Sequence, residues 1–150
     1  MLTAFGLRAG DVLSWNDCPF RAKKDEPLKK RWFIVLGYFT IEEQIFVVTT
    51  TTRQEHYGVG KPRESHVYFR LPAGSGGLIQ DSIVDLSQDF QEIHLSGLER
   101  SKSDIIKEGT LKQETVNTLV KHLEKTNRIS KIVKKRIYEC LKDVGFRINR

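Results

Sequence analysis

Apolar and polar positions along this chain follow two successive rhythms. Residues 12–15, Val-Leu-Ser-Trp, follow a turn at Arg8-Ala9-Gly10-Asp11 and have the apolar and aromatic content of a strand. Residues 31–38 form a strongly apolar run that starts at Arg31, a pattern that predicts a strand buried on both faces. Residues 44–52 are rich in β-branched side chains, whose stiff χ1 suits a pleated sheet. Residues 66–71 alternate polar with apolar, and two shorter strands are predicted over 82–86 and 90–95. Between them lie a long polar stretch at 16–30, a Gly- and Pro-containing loop at 53–64, and a glycine-rich turn at 72–77. The first 95 residues thus read as all-β with short strands and frequent turns, the pattern of a small barrel or sandwich.

Near residue 96 the period changes from two to between three and four. Residues 96–101 predict a short helical turn. Thr110, with Gln113 three residues on, predicts the capped start of a helix on which Val116, Leu119, Val120 and Leu123 share one face. Residues 126–128 predict a break. A second helix is expected from Ser130, with Ile132, Val133, Ile137, Cys140, Leu141 and Val144 as its apolar stripe and Gly145 as its stop. The expected organisation is a single domain over 1–150, with β structure over 1–95 and a helical extension over 110–145. No internal repeat or linker interrupts it.

Composition changes this picture only a little. At 150 residues the chain can bury a core without disulfide or metal staples. No run reaches the ~18 apolar residues of a membrane span, and no secretion signal is expected at the N-terminus. The formal charge is +6 and is unevenly placed: residues 111–150 carry eleven Lys or Arg against four Asp or Glu. That asymmetry suits either a polyanion or acidic protein partner, or a solvated helix face. The two cysteines, Cys18 and Cys140, are far apart and read as free thiols in a reducing cytoplasm. Neither they nor the four scattered histidines have metal-ligand spacing, so neither metal nor cofactor is expected.

The common catalytic signatures are absent: there is no phosphate-cradling GxxxxGK[ST] loop, no HExxH and no GxSxG elbow. What remains is an arrangement. The 16–30 loop carries Arg21, Lys23, Lys24, Lys29 and Lys30 and runs directly into Arg31 at the head of a buried strand. A neighbouring strand ends in Thr49-Thr50-Thr51-Thr52 followed by Arg53. An arginine at a rigid strand end can hold a phosphate in a bidentate fork, and threonine hydroxyls can donate to its oxygens. The alternative is a solvated loop edge beside ordinary β-forming threonines. Trp15 and Trp32 lie on apolar strands and read as core. Phe20 sits among basic residues without an evident core role, which makes it the candidate for stacking an unpaired base.

The order of these features resembles the MazF/PemK family, the toxins of type II toxin–antitoxin systems. The resemblance covers about residues 8–125. It rests on Gly10-Asp11-Val12 opening a strand, the basic loop, Arg31 before an apolar strand, a strand ending in threonine, the stretch Gly77-Leu78-Ile79-Gln80-Asp81-Ser82-Ile83-Val84, and an amphipathic helix. It implies an SH3-like small β-barrel with packed C-terminal helices, usually a homodimer. The implied activity is metal-independent endoribonuclease cleavage of single-stranded RNA, held in check by an antitoxin protein. In that chemistry the 2′-hydroxyl attacks the adjacent phosphate and leaves a cyclic phosphate and a free 5′-hydroxyl. By the family pattern the functional arginine falls on Arg31 and the functional threonine on Thr51, with Thr52 as its neighbour. Phe20, Arg21, Lys23, Lys24, Lys29, Lys30 and Arg53 would then bind RNA, and Ser82 would be structural support. His66 and His56 would assist only if the fold brought them beside Arg31.

Two departures stand out. The family has proline after this arginine, and here the residue is Trp32. The second helix, over 130–145, extends beyond small members. A non-catalytic barrel that binds nucleic acid or a protein partner is therefore the competing reading, because a fold does not fix a function. A DNA-binding regulator has less support, since no helix-turn-helix precedes a basic recognition helix.

Overall fold

The computed structural model describes residues 6–20, 24–88 and 90–148. Seven strands form one antiparallel sheet: β1 Asp11–Cys18, β2 Lys29–Phe39, β3 Gln44–Thr51, β4 Tyr68–Leu71, β5 Ser82–Asp85, β6 Gln91–His94 and β7 Ile105–Thr110. The helices are α1 Leu95–Arg100, α2 Gln113–Lys125 and α3 Lys131–Asp143. The strand order is β4-β5-β3-β2-β1-β7, and β6 also pairs with β3. The architecture is mainly antiparallel β with helices at the C-terminal end, as the two rhythms predict. No helix among the described residues is long and apolar enough to cross a membrane.

The long apolar runs arise because both faces of the central strands are covered. Ile34 and Leu36 of β2, with Val12, Phe46, Val48 and Val84, pack against Val116, Leu119, Val120 and Leu123 of α2 and Ile137 and Leu141 of α3. Phe33 and Val35 point the other way, into a second cluster with Leu13, Trp15, Ile45, Val47, Ile93 and Leu98. The pleat splits one apolar strand between two cores.

Several expectations need correction. The 16–30 loop is shorter than expected: β1 continues to Cys18 through a bulge at which Asp17 has φ +50°, and β2 begins at Lys29. Thr110 does not cap a helix; it ends β7, and its hydroxyl donates to Asp11 Oδ1 at 2.8 Å. Lys112 takes the cap position, without a side-chain hydrogen bond. β7 itself lies beyond the expected end of the β region, and it pairs with β1. Ile132, assigned to the apolar stripe of α3, is 75% exposed.

Other local signals act as their chemistry dictates. The Ser130 hydroxyl accepts from Val133 N at 3.2 Å and caps α3. At the far end Gly145 has φ +90°; its N–H donates to Lys142 O and that of Phe146 to Leu141 O, closing the helix with the paired bonds of a Schellman motif. The Thr126 break is buried, and its hydroxyl donates to Leu86 O at 2.6 Å, which fixes the corner between the helices to the sheet.

Two of the basic residues of α3 are structural. Lys134 Nζ donates to the carbonyls of Glu124 and Thr126 at the end of α2, favourable for a cation at a helix C-terminus. Arg136 lies 3.9 Å over the Phe39 ring and forks onto Glu42. Both cysteines are free thiols. Burial pushes both up in pKa, away from nucleophilic reactivity.

The two ends of the sheet approach one another. The turn after β4, Ser75–Gly77, lies against β7: a Cβ on Gly77 would stand 2.3 Å from Glu108 O. Gly77 also has φ +87°, so glycine is required there for both reasons.

Candidate functional site

A cleft of about 600 Å³ opens where β2 and β3 part. Their ladder runs from Phe39–Gln44 to Phe33–Thr49. Beyond it Thr50 and Thr51 turn to pair with Val84 and Ile83 of β5 instead. The preceding residues of β2, Lys29 to Trp32, and the threonines after Val48 are thus left facing each other across a gap. Carrying the antiparallel register past Phe33–Thr49 sets Arg31 across from Thr51.

Most of the residues singled out in the sequence meet here. Lys29, Lys30, Arg31, Thr51, Thr52 and Arg53 all line the cleft, as do Thr49 and Thr50. Arg31 pairs with Trp15 on β1 and is half-buried. Its Nε is buried and has no hydrogen-bond partner, one of few such atoms among the described residues. A buried, unpaired guanidinium N–H costs ~1–3 kcal/mol unless an acceptor reaches it. Thr51 Oγ1 accepts from Arg53 N at 3.2 Å, which orients that hydroxyl and leaves its proton for another acceptor. Lys30 Nζ lies 5.2 Å over the Trp32 ring, and Lys29 Nζ is 3.5 Å from Glu26. Trp32, expected in the core, is half-buried and borders the cleft. Ser82 also borders it, buried, with its hydroxyl on Gln80 O at 3.0 Å.

Other expectations fall elsewhere. Phe20 does not line the cleft. It packs edge-on against Trp15 at 5.6 Å and Phe33 at 6.4 Å, and so closes the second core. A phenylalanine in a polar loop next to a Trp-bearing strand is satisfied by that packing. Lys24 is exposed and away from the lining, while Arg21 and Lys23 lie outside the described residues. Neither His56 nor His66 borders the cleft.

The sequence reading missed a network at the cleft's inner end. Asp85, the last residue of β5, is buried. Its Oδ2 accepts from Tyr57 OH at 2.7 Å and lies 2.7 Å from His66 Nδ1; its Oδ1 accepts from Ser87 N at 2.8 Å. Burial alone would push this carboxyl up in pKa. The hydrogen bonds from His66, Tyr57, Ser87 N and Gln88 outweigh it and hold the carboxyl below its ordinary value. Tyr57 is buried, and desolvation with the bond to Asp85 pushes its phenol up to about 12. Arg63 Nη1 in turn donates to Tyr57 OH at 2.8 Å, with its guanidinium 5.5 Å over the same ring. Tyr57, Arg63 and Asp85 all border the cleft. No spacing in the sequence announces this: the members come from a loop, a strand and the approach to another strand.

The lining therefore carries five cations (Lys29, Lys30, Arg31, Arg53, Arg63) against two carboxylates (Glu26, Asp85), both of them engaged. An anion is the ligand this charge selects. No set of three or more His, Cys, Asp or Glu among the described residues is placed to hold a metal ion. Models of known protein families give no match to the chain, and neither do curated proteins.

Proposed function

We propose that the protein is a metal-independent endoribonuclease of the MazF/PemK kind, acting on single-stranded RNA in this cleft. The observation that carries the reading is the buried, unpartnered Nε of Arg31 in a cleft that Thr49, Thr50, Thr51 and Thr52 also line. A phosphodiester supplies what both lack: anionic acceptor oxygens.

In this reading Arg31 binds the scissile phosphate and stabilises the charge that builds on its non-bridging oxygens as the 2′-oxygen attacks. The bond from phosphorus to the 5′-oxygen breaks, leaving a cyclic phosphate and a 5′-hydroxyl. Thr51, with Thr52 beside it, donates to the same phosphate. Lys29, Lys30 and Arg53 hold the flanking strand. With no histidine in the lining and both carboxylates engaged, positioning and electrostatic stabilisation carry the acceleration more than acid–base transfer does. The approach of the turn after β4 to β7 supports reading the curled sheet as an SH3-like barrel, and the free cysteines support a reducing cytoplasm. A homodimer and a protein antitoxin belong to the same proposal. Ile79, 72% exposed at the cleft rim, gives an antitoxin an apolar contact.

The test is cleavage of mixed-sequence single-stranded RNA in EDTA, with Arg31→Ala alongside. Discrete fragments ending in cyclic phosphate are expected from the native protein, with cleavage ~10²–10³-fold slower in the folded variant. Unchanged cleavage by Arg31→Ala would overturn the mechanism. The lack of an unengaged base in the lining favours one second reading, a non-catalytic RNA-binding module. Retention of RNA without any cleavage would select it.

A further inference from the structure

Arg63 is held more firmly than a surface arginine has reason to be. Its guanidinium donates to Tyr57 OH and lies over the Tyr57 ring; Tyr57 is fixed by Asp85, and Asp85 by His66 and Ser87 N. The loop that carries it is also tied at the backbone, with Arg63 N donating to His56 O at 2.8 Å and Gly60 N to Glu64 Oε2 at 3.1 Å. Tyr57 takes one guanidinium N–H of Arg63, and among the described residues no carboxylate pairs with its charge. An arginine pre-positioned at one end and open at the other loses little entropy when an anion arrives.

Its place in the cleft is offset from that of Arg31. Thr51 is level with Ile83 on β5, while the anchor of Arg63, Asp85, lies two residues further along that strand. At the usual strand rise the offset is ~7 Å. That sets the anchors of the two arginines about one step of a nucleic-acid backbone apart along the strand, with both side chains on the lining of one cleft.

We infer that Arg63, clamped by Tyr57 on Asp85, binds a second phosphate next to the one at Arg31, so that the cleft grips two successive phosphodiesters of one strand. This rests on the ribonuclease reading above and adds a binding residue and a minimum substrate length to it. Arg63 reads the backbone and not the bases, so it contributes affinity and register without sequence preference.

The experiment uses the full chain and a mixed-sequence 2′-fluoro RNA, which lacks the attacking hydroxyl and stays intact. Affinity is measured by fluorescence anisotropy across a salt series. Each phosphate contact on a single strand contributes about 0.7 to the slope of log affinity against log salt. Arg63→Gln is expected to reduce the slope by about 0.7 and to weaken binding about tenfold or more at low salt. Arg63→Lys is expected to keep the slope. Tyr57→Phe is expected to keep the slope and weaken binding a few-fold, because the charge remains and its clamp is lost. Should the glutamine variant fold poorly, Arg63→Met keeps the stem over the Tyr57 ring and repeats the measurement. A slope unchanged in Arg63→Gln but reduced in Arg31→Gln overturns the second phosphate and leaves the ribonuclease reading standing. No binding by the native protein, or no change of slope in either variant, overturns both.

Discussion

Replacing Tyr57 by phenylalanine removes a single oxygen that both donates to Asp85 and accepts from Arg63. A hydrogen bond to a charged group contributes ~1.5–3 kcal/mol. Asp85 keeps His66, Ser87 N and Gln88 as partners, so no carboxylate is orphaned and the loss near neutral pH is expected at the low end, ~2 kcal/mol. The alkaline side tests the reasoning more sharply. The phenol ionises at 10.0 in its ordinary state and at about 12 in the fold. Its folded-state value is raised, so the stability linked to the neutral phenol is complete below pH ~10 and is lost as pH climbs toward ~12. The full interval is worth at most ~3 kcal/mol, and at pH ~11 the linkage relation gives a loss of ~1.4 kcal/mol. Phenylalanine does not titrate. The gap between native protein and variant should therefore narrow from ~2 kcal/mol near pH 7 to ~0.6 kcal/mol at pH ~11. Urea unfolding followed by circular dichroism at the two pH values measures it, and other titrating groups cancel in the difference. A gap of constant size would refute the buried, hydrogen-bonded phenol.

Three further substitutions separate packing from function. Gly77→Ala should abolish folding or cost more than ~4 kcal/mol, because the new Cβ would sit 2.3 Å from a backbone carbonyl oxygen; Gly145→Ala, at a similar φ but in open space, should cost only ~1–2 kcal/mol in the same unfolding assay. Arg31→Met should raise stability by ~1 kcal/mol or more, since it removes a buried unpaired N–H and one cation from the cleft, while inorganic phosphate should raise the melting temperature of the native protein more than that of the variant.

The legible parts of this molecule are those in which local preference and tertiary environment agree. The runs Phe33-Ile34-Val35-Leu36 and Ile45-Phe46-Val47-Val48 are apolar at every position because each faces one of two cores, and they could be read as buried strands without knowing either. Val116, Leu119, Val120 and Leu123 are all buried for the same reason, a helical period matched to one covered face. β7 was not legible. Ile106-Lys107-Glu108-Gly109 has no clean alternation, because an edge strand gets its order from the neighbour it pairs with. Phe20 misleads in the opposite direction: surrounded by charge in sequence, it is surrounded by Trp15 and Phe33 in space. At the cleft, Arg31 and the threonines could be found because each sits at the end of a recognisable strand. Tyr57, Arg63 and Asp85 could not, since only folding brings residues of such different elements within hydrogen-bond reach.

The cleft is also where the chain departs from what stability alone would select. The β2–β3 ladder could have continued; instead β3 leaves β2 for β5 after Thr49, and the gap holds five cations. Arg31 continues the same strand that supplies Phe33 and Val35 to the core, a position at which an aliphatic side chain would fill the space without an unsatisfied donor. The energetic cost is local, and the surrounding structure holds it in place: Trp15 across the ladder, the bulge at Asp17, and Phe20 closing the face behind. In the proposed reading, an Arg31 Nε kept unpartnered by a rigid frame meets a phosphate without reorganising, which is the condition under which electrostatic stabilisation is largest. Asp85 and Arg31 differ in how they are satisfied within this frame. Asp85 has four hydrogen-bond partners and serves to hold other groups, whereas the Nε of Arg31 is buried without one. In the proposed reading, that contrast within one cleft separates supporting residues from binding ones more sharply than charge does.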